Sequence, residues 1–295
     1  MKRRAARLTG SIVAIVTPFR GGTVDEGALA DLIDWQIEQG TDGIVVAGTT
    51  GESPTLSHAE HDRVIAFVVK KTTGRVPVIA GTGSNATDEA VRLTRHAADV
   101  GADGSLVVNP YYNRPPQEGL YRHFMAVADA ADLPMLVYNI PGRTAGRVEH
   151  ATLVRLAKHD RIVGVKDATG DLVGVSRLLA DIPGFIVLSG DDLITLPMMA
   201  LGATGVISVT ANVAPAPMAA LCRAANGGDF AAATAAHYRL LDLMTAMTVA
   251  VNPLPVKTAL ALMGRVAEEF RLPLCEMSPA DRERVAAALK DAGLI

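Results

Sequence analysis

The chain has 295 residues, of which 49% are hydrophobic and 20% are charged, so it carries enough apolar material for a large buried core. This balance excludes an intrinsically disordered chain. The formal net charge of -3, with no basic stripe interleaved with aromatic residues, argues against a nucleic-acid or acidic-membrane partner. A chain of this length forms either one large domain or two ordinary ones.

The basic start, residues 1–7, resembles the first part of a secretory signal. The apolar run that follows, residues 12–16, is too short and stops at Pro18, and no small-residue cleavage site follows it. No apolar run approaches the roughly 18 residues of a membrane span. Cys222 and Cys275 are far apart and are expected to be free thiols in a reducing compartment. We therefore expect a cytoplasmic protein.

Short β-rich runs alternate with longer segments of helical periodicity along the first three quarters of the chain. Most of the runs are continuously apolar, as is typical of parallel strands that are covered on both faces. The predicted strands are residues 11–17, 43–47, 76–80, 105–109, 135–138, 162–166, 185–189 and 205–209. The predicted helices between them are residues 28–39, 59–71, 87–100, 117–131, 149–159, 172–181 and 193–201.

Two of these helices carry end signals. Ser57 and Glu60 form a capping-box pattern before the second helix, and Gly101 follows the third helix as a C′ glycine. Eight strand–helix repeats predict an α/β fold, a (β/α)₈ TIM barrel, in which functional residues gather at the carboxyl ends of the strands. A doubly wound sheet is the alternative, but no linker is found. We place the barrel at residues 1–224 and a C-terminal helical appendage at 225–295, with helices at 230–251 and 256–270.

The loops after the predicted strands hold most of the chemically informative residues. Residues 48–53 (GTTGES) combine glycines and hydroxyls in a nest that suits a carboxylate or a phosphate, or form an ordinary turn. Residues 81–86 match the dinucleotide pattern G-x-G-x-x-A, with Asp103 further on. The pattern lies in the third unit rather than the first, so we do not predict a dinucleotide site.

Three of the five tyrosines, Tyr111, Tyr112 and Tyr138, also fall at predicted strand ends, where a phenol could transfer a proton. Arg143 has a side chain suited to carboxylates, or to a surface ion pair. The acids of residues 189–192 match a helix N-terminus better than a metal site. His58 and His61 do not complete any zinc motif, so no metal is predicted.

Lys166 is the only lysine that follows an apolar, strand-like run. Alternation along that strand would place Ile162, Gly164 and Lys166 on one face, with Gly164 leaving room for the lysine side chain. A buried amine loses its proton more easily and then attacks carbonyl carbons, so Lys166 is either a Schiff-base nucleophile for a small keto acid or a structural buried lysine. Lys257 is expected to open a helix.

Together these motifs resemble those of the pyruvate-dependent class I aldolase superfamily. Within it, the chain is most similar to the branch that condenses pyruvate with L-aspartate-4-semialdehyde in the diaminopimelate route to lysine. The resemblance covers almost the whole chain. It is carried by residues 48–53, 110–113, 138 with 143–144, 164–170, 189–192 and 205–213.

The resemblance implies roles for particular residues and no metal or organic cofactor. Lys166 would form the Schiff base with pyruvate, and Tyr138, Thr49 and Tyr112 would relay protons. Thr50 would bind the pyruvate carboxylate, with Gly190 and Ile207 giving backbone contacts. Arg143 would bind the carboxylate of L-aspartate-4-semialdehyde; the related N-acetylneuraminate lyases lack this arginine, and sugar-acid and hydroxy-oxoglutarate aldolases are the other relatives.

The resemblance also implies an assembly and an inhibitor. The residue matching Tyr112 reaches into the neighbouring subunit, which implies a tight dimer and, by pairing of dimers, a homotetramer. Relatives are often inhibited by L-lysine in a cleft at that interface. The matching positions in this chain are Ser53, Pro54, His58, His61, Gly83, Asn85, Glu89 and Tyr111.

Overall fold

The computed structural model describes residues 7–295, and the six residues that form most of the basic start lie outside it. Eight strands form a closed barrel in which every neighbouring pair is parallel, with the first strand paired to both the second and the eighth. The strands are β1 (Gly10–Ala14), β2 (Gly43–Val46), β3 (Val78–Gly81), β4 (Gly104–Val108), β5 (Met135–Asn139), β6 (Ile162–Asp167), β7 (Ile186–Ser189) and β8 (Gly205–Ser208). The predicted barrel is confirmed.

Helices connect the strands and cover the outside of the barrel. The eight α-helices that lie between β1 and β8 are α1 (Glu26–Glu38), α2 (His58–Thr72), α3 (Thr87–Asp99), α4 (Gln117–Asp129), α5 (Pro141–Thr144), α6 (His150–Leu156), α7 (Leu172–Asp181) and α8 (Thr195–Ala200). A short antiparallel ribbon pairs Phe19–Arg20 with Thr23–Val24. The short helix α5 and this ribbon have no counterpart in the predicted elements.

The two end signals predicted for the helices are present. Ser57 Oγ accepts a hydrogen bond from the Glu60 amide at 3.2 Å, and a Glu60 carboxylate oxygen accepts one from the Ser57 amide at 2.9 Å. Gly101 follows α3 with a φ of 89°, a backbone conformation that favours glycine. The capping box and the C′ glycine are therefore confirmed.

Four more helices follow β8: α9 (Pro215–Asn226), α10 (Phe230–Ala246), α11 (Leu254–Leu262) and α12 (Pro279–Asp291). The helices predicted at 230–251 and 256–270 overrun their observed ends. Near the end of α10, the hydroxyls of Thr245 and Thr248 bond to carbonyl oxygens of the preceding turn. After α11, Gly264 adopts a φ of 71°, which stops the helix. The domain boundary at residue 224 stays a prediction.

The inside of the barrel is filled by side chains from the strands rather than by solvent, as is usual for this fold. The buried residues of this interior cluster are Leu8, Ile12, Ala14, Val45, Ile79, Leu106, Leu136, Tyr138, Ile186, Leu188 and Ile207. The predicted face of β6 is wrong at one position. The β5–β6 pairing shifts register after Met135–Ile162, so Ile162 packs in the outer layer with Val165 instead of beside Lys166.

No helix within residues 7–295 is both long enough and apolar enough to cross a membrane. Cys222 is buried, Cys275 is exposed, and both are free thiols in the described part of the chain.

Candidate active site

Lys166 lies near the carboxyl end of β6, in register with Tyr138 of β5 on one side and Leu188 of β7 on the other. Its side chain points into the barrel and is only 6% exposed. The Lys166 Nζ atom lies 4.3 Å from the centre of the Tyr138 ring. The lysine therefore lies in the layer of side chains that closes the barrel interior at the face where active sites of this fold are built.

The amine of Lys166 is in an environment that favours its neutral form. Burial lowers the pKa of Lys166 to about 8, the carboxylate of Asp192 partly opposes this shift, and the charge of Arg143 adds to it. Among the ion pairs of residues 7–295, none includes Lys166. About a tenth of the amine is therefore unprotonated at pH 7, far more than for an exposed lysine, and the neutral form is the one that acts as a nucleophile.

The turn after Lys166 is fixed by its own polar groups. A carboxylate oxygen of Asp167 accepts hydrogen bonds from the Thr169 amide at 3.0 Å and from the Thr169 hydroxyl at 2.7 Å. The Gly190 amide donates to the Asp167 carbonyl at 2.7 Å, and a Cβ at Gly190 would lie 3.1 Å from Lys166 Cε. Gly190 thus makes room for the lysine stem.

The space at Gly164 serves a different purpose from the one predicted. A Cβ at Gly164 would lie 2.6 Å from the Cβ of Ile186 and 2.9 Å from a methyl group of Leu136. Both neighbours belong to the interior cluster. Gly164 is therefore required by the packing of the layer beneath Lys166, and not by Lys166 itself.

Tyr138 is a buried phenol that keeps its proton. Burial raises the pKa of Tyr138 to about 12, while Arg143 and a hydrogen bond with the Thr49 side chain act in the opposite direction. The structure thus brings Lys166, Tyr138 and Thr49 together at one end of the barrel. A phenol that keeps its proton beside the amine is able to donate that proton to a bound substrate.

The loop 48–53 after β2 is held from three sides. The Thr17 hydroxyl donates to the Gly51 carbonyl at 2.7 Å, and the Asn252 side-chain amide donates to the Thr50 hydroxyl at 3.0 Å. The side chain of Glu52 is fully buried against Lys257. The residues predicted to form an anion-binding nest form a structured loop. Asn252 and Lys257, from the segment that leads into and begins α11, hold this loop, and the sequence did not indicate either contact.

Lys166 is not the only buried lysine among the described residues, because Lys257 is buried as well. Lys257 lies in the first turn of α11, as expected, but it is 0% exposed. Its Nζ atom lies 2.5 Å from a carboxylate oxygen of Glu52. Two of the lysines in residues 7–295 are therefore buried, and no motif within the α11 sequence indicates that the second one is buried.

Arg143 lies in the short helix α5, exposed at the rim of the site. Its guanidinium donates to the Asn252 carbonyl at 3.0 Å. Asn252 thus contacts both Thr50 and Arg143, which are predicted to bind the two substrate carboxylates. Asn252 was missed because it lies far from every strand end in sequence.

Other polar residues at the strand ends fix the loops. A carboxylate oxygen of Asp192 accepts hydrogen bonds from the Val209 and Thr210 amides at 3.1 and 2.8 Å, which ties the ends of β7 and β8 together. Asp191 accepts a hydrogen bond from the Leu193 amide at 2.9 Å, so it caps a short helical turn. Asn139 exchanges two hydrogen bonds with the backbone of Val148 and thereby fixes the loop that carries Arg143.

One cavity of about 580 Å³ extends from Lys166 to most of the residues that were matched to an inhibitor site. Thr49, Tyr138, Arg143 and Lys166 line it. The predicted regulatory residues that line it are Ser53, Pro54, His58, His61, Gly83, Glu89 and Tyr111. The remaining member of that set, Asn85, is not part of the lining; its carbonyl accepts a hydrogen bond from the Asn113 side chain at 2.8 Å.

Besides Asn85, four predicted site residues lie outside the cavity lining. Thr50 is buried and bound to Asn252, Gly190 packs on Lys166, and Ile207 belongs to the interior cluster. Tyr112 is 89% exposed, and its φ of 73° lies in the left-handed region. This strained backbone turns Tyr112 outward, so the side chain does not join the others within this chain.

Two polar residues of the predicted regulatory set, His58 and Glu89, are in contact with each other. His58 Nε2 lies 3.4 Å from a Glu89 carboxylate oxygen, and the Ser84 hydroxyl donates to Glu89. Burial lowers the pKa of His61, and among the described residues neither ring nitrogen of His61 has a hydrogen-bond partner. The histidines thus line the cavity, and in residues 7–295 no cluster of three or more His, Cys, Asp or Glu suits a metal ion.

The glycines of the dinucleotide-like pattern have a packing role. A Cβ at Gly81 would lie 2.3 Å from the Ala47 carbonyl oxygen, and a Cβ at Gly83 would lie 2.3 Å from the Val108 amide nitrogen. Neighbouring loops approach so closely here that only glycine fits. The pattern therefore reflects contacts between adjacent barrel units.

A (β/α)₈ barrel with a buried lysine beside a phenol that keeps its proton has the groups that a Schiff-base-forming enzyme needs. Comparison with known proteins shows the family. The model of the dihydrodipicolinate synthetase family matches residues 7–292. The 4-hydroxy-tetrahydrodipicolinate synthase of Thermodesulfovibrio yellowstonii is 54% identical over 287 residues, which cover 97% of this chain and 99% of that protein. The chain belongs to the dihydrodipicolinate synthetase family.

Two solved structures are similar to this one over nearly their whole length. The chloride-inhibited dihydrodipicolinate synthase from Acinetobacter baumannii, complexed with pyruvate, is 48% identical with a TM-score of 0.96, covering 98% of this chain and 100% of that one. The enzyme from Cyanidioschyzon merolae with lysine bound is 40% identical with a TM-score of 0.95, covering 98% of this chain and 99% of that one.

Proposed function

We propose that Lys166 carries the chemistry of this family in this chain, through a Schiff base with pyruvate that then condenses with L-aspartate-4-semialdehyde. The chain is a lyase-type enzyme whose relatives are named 4-hydroxy-tetrahydrodipicolinate synthase. The observation that carries the proposal is a 6% exposed amine with a pKa of about 8, placed 4.3 Å from the ring of a neutral tyrosine.

In the first half of the reaction, the neutral Lys166 amine attacks the keto carbon of pyruvate. Tyr138, which keeps its proton at neutral pH, donates a proton to the departing oxygen, so that water leaves and an iminium forms. Thr49 connects Tyr138 to Tyr112 of a second subunit. Thr50 binds the pyruvate carboxylate, and backbone groups of Gly190 and Ile207 complete this part of the site.

In the second half, the pyruvate methyl group loses a proton and the resulting enamine attacks the aldehyde carbon of L-aspartate-4-semialdehyde. The amine of this second substrate then displaces Lys166 from the imine carbon, which closes the ring and releases the enzyme amine. Arg143, exposed at the rim, binds the carboxylate of the second substrate. No metal or organic cofactor takes part in these steps.

The assembly and the inhibitor are also part of the proposal. The outward-facing Tyr112 supports a tight dimer in which each subunit completes the other's relay, and two such dimers form a homotetramer. L-Lysine would bind at Ser53, Pro54, His58, His61, Gly83, Asn85, Glu89 and Tyr111, with Glu89 pairing with its α-amino group. The lysine-bound relative supports this site. We place the enzyme in the cytoplasm.

Steady-state turnover tests the reaction. Purified protein is expected to consume pyruvate and L-aspartate-4-semialdehyde together and to leave N-acetylneuraminate untouched. Addition of millimolar L-lysine to the same assay is expected to lower the rate. Cleavage of N-acetylneuraminate without any condensation would overturn the proposed substrate, whereas an unchanged rate with lysine would overturn only the inhibitor site.

A further inference from the structure

A buried ion pair joins the loop 48–53 to the helix α11. Glu52 and Lys257 are 205 residues apart in sequence, yet both side chains are 0% exposed and lie 2.5 Å apart, Nζ to Oε1. Lys257 also donates to the Glu269 carbonyl at 2.7 Å and lies 4.3 Å from the centre of the Phe19 ring. Two charges held so far from solvent are costly unless their geometry is well satisfied, as it is here.

The acid is on the loop that carries the predicted pyruvate-binding groups. Glu52 follows Thr49 and Thr50 by three and two residues, and its φ of 53° lies in the left-handed region. Such a conformation is strained for a residue with a Cβ and persists only where surrounding contacts hold it. The ion pair with Lys257 is the charged contact that holds it, and the other Glu52 oxygen faces the Arg271 amide at 3.4 Å.

The lysine is in a segment that reaches the same loop at a second point. Asn252, five residues before Lys257, donates to the Thr50 hydroxyl at 3.0 Å. Residues 252–257 therefore hold the loop at Thr50 and at Glu52, on both sides of Gly51. The loop is thus fixed between the barrel and the C-terminal segment, and the Thr50 hydroxyl accepts its hydrogen bond from outside the barrel.

We propose that the Glu52–Lys257 pair is a positioning device for the reaction, which holds Thr49 and Thr50 in the orientation that pyruvate binding and Schiff-base formation require. This inference rests on the proposed function. Both side chains are 0% exposed and lie against each other, so they act through the threonines and not on the substrate. A neutral, apolar pair of similar volume would fill the same space but would not fix the direction of the loop.

The double variant Glu52→Gln/Lys257→Met separates positioning from folding. Each single variant leaves one buried charge unpaired, whereas the double variant leaves none and is expected to melt within about 5 °C of the wild type. Its KM for pyruvate is expected to rise about tenfold or more, because small displacements of binding groups weaken productive orientation. Borohydride trapping of pyruvate on Lys166 is expected to slow in parallel, while the KM for L-aspartate-4-semialdehyde at saturating pyruvate changes less than about twofold.

The variant Asp34→Asn/Lys71→Met is the matched control. It neutralises another lysine–carboxylate pair, with Nζ and Oδ2 2.6 Å apart, on the partly exposed outer helices α1 and α2. Its pyruvate KM and trapping rate are expected to equal those of the wild type. A stable Glu52→Gln/Lys257→Met enzyme with wild-type pyruvate KM would overturn the positioning role.

Hydrogen exchange in the wild-type enzyme decides the question if the double variant does not fold. Pyruvate is expected to slow amide exchange in peptides covering 48–53 and 254–258 together, and slowing confined to 48–53 would contradict the coupling. A wild-type enzyme that forms no pyruvyl adduct would instead overturn the proposed function, so the two failures are distinguishable.

Discussion

Two lysines are buried in the described part of the chain, and their surroundings differ. Lys257 lies 2.5 Å from the carboxylate of Glu52 and donates to a backbone carbonyl as well. Lys166 lies against the ring of Tyr138, and no ion pair of the described residues includes it. Burial lowers the pKa of both amines, but at Lys257 the attraction and hydrogen bond of Glu52 oppose the shift.

The contrast shows that burial alone does not make a lysine reactive. A buried amine with a carboxylate partner is stabilised in its charged form and contributes to structure. A buried amine without such a partner loses its proton readily, and this loss makes it a nucleophile. The lysine that is less well satisfied is the one that we propose as the nucleophile.

Exchange of Lys166 for methionine is the strongest way to test this contrast. Lys166→Met is expected to lower kcat on the order of a thousandfold or more, since the nucleophile itself is lost. At pH 7 the variant is expected to be at least as stable as the wild type, because the folded wild type holds a charged amine that burial disfavours. Urea titrations check this, and the stability difference should shrink as the pH rises toward 10.5, where the unfolded lysine also loses its proton.

Exchange of Lys257 for methionine should show the opposite pattern. Lys257→Met leaves the Glu52 carboxylate buried without its partner, and it is expected to lower the free energy of unfolding by about 3–5 kcal/mol. The matched surface variant Lys71→Met is expected to lower it by less than about 1 kcal/mol. Equal losses in the two urea titrations would show that the Glu52–Lys257 pair is not a strong structural contact.

Removal of the Tyr138 hydroxyl tests whether this phenol donates a proton during Schiff-base formation at Lys166. Tyr138→Phe keeps the ring against the lysine and removes only the proton donor, so it is expected to slow Schiff-base formation about a hundredfold. Rapid-quench trapping with borohydride measures this step. Tyr121→Phe, which alters a partly buried tyrosine of α4 under Arg155, is the control and should leave the rate unchanged. A wild-type rate in Tyr138→Phe would remove the phenol from the mechanism.

The pH dependence of borohydride trapping is the smallest expected effect, and it measures the pKa of Lys166. The reactive species is the neutral amine, so with a pKa of about 8 the trapping rate should rise about tenfold from pH 7 to pH 9 and then level off. An amine with the ordinary pKa of 10.5 would instead keep gaining rate beyond pH 9. Circular dichroism at each pH checks that the fold is unchanged.

Much of the barrel could be predicted from sequence because its signals are local. Continuous apolar runs separated by helical patterns indicate parallel strands, and Ser57 with Glu60 marks a helix start within four residues. The register shift in β6, which turns Ile162 outward, could not be predicted, because it depends on how β6 pairs with β5.

The site was predictable to the extent that its residues follow strands. Lys166 and Tyr138 end strands, and Thr49 follows one, so the fold alone brings them to one face. The sequence did not indicate that Asn252 and Lys257 contact the loop that carries Glu52, because these contacts join residues more than 200 positions apart. The positions matched to lysine inhibition came only from resemblance, and no local pattern distinguishes them.

The location of the pyruvate adduct tests most directly whether Lys166, and not Lys257, is the nucleophile. The enzyme is incubated with pyruvate and borohydride, digested, and its peptides are sequenced by mass spectrometry. The account predicts one reduced adduct per chain, on Lys166, with Lys257 unmodified. An adduct on Lys257, or none on any lysine of an active enzyme, would contradict it.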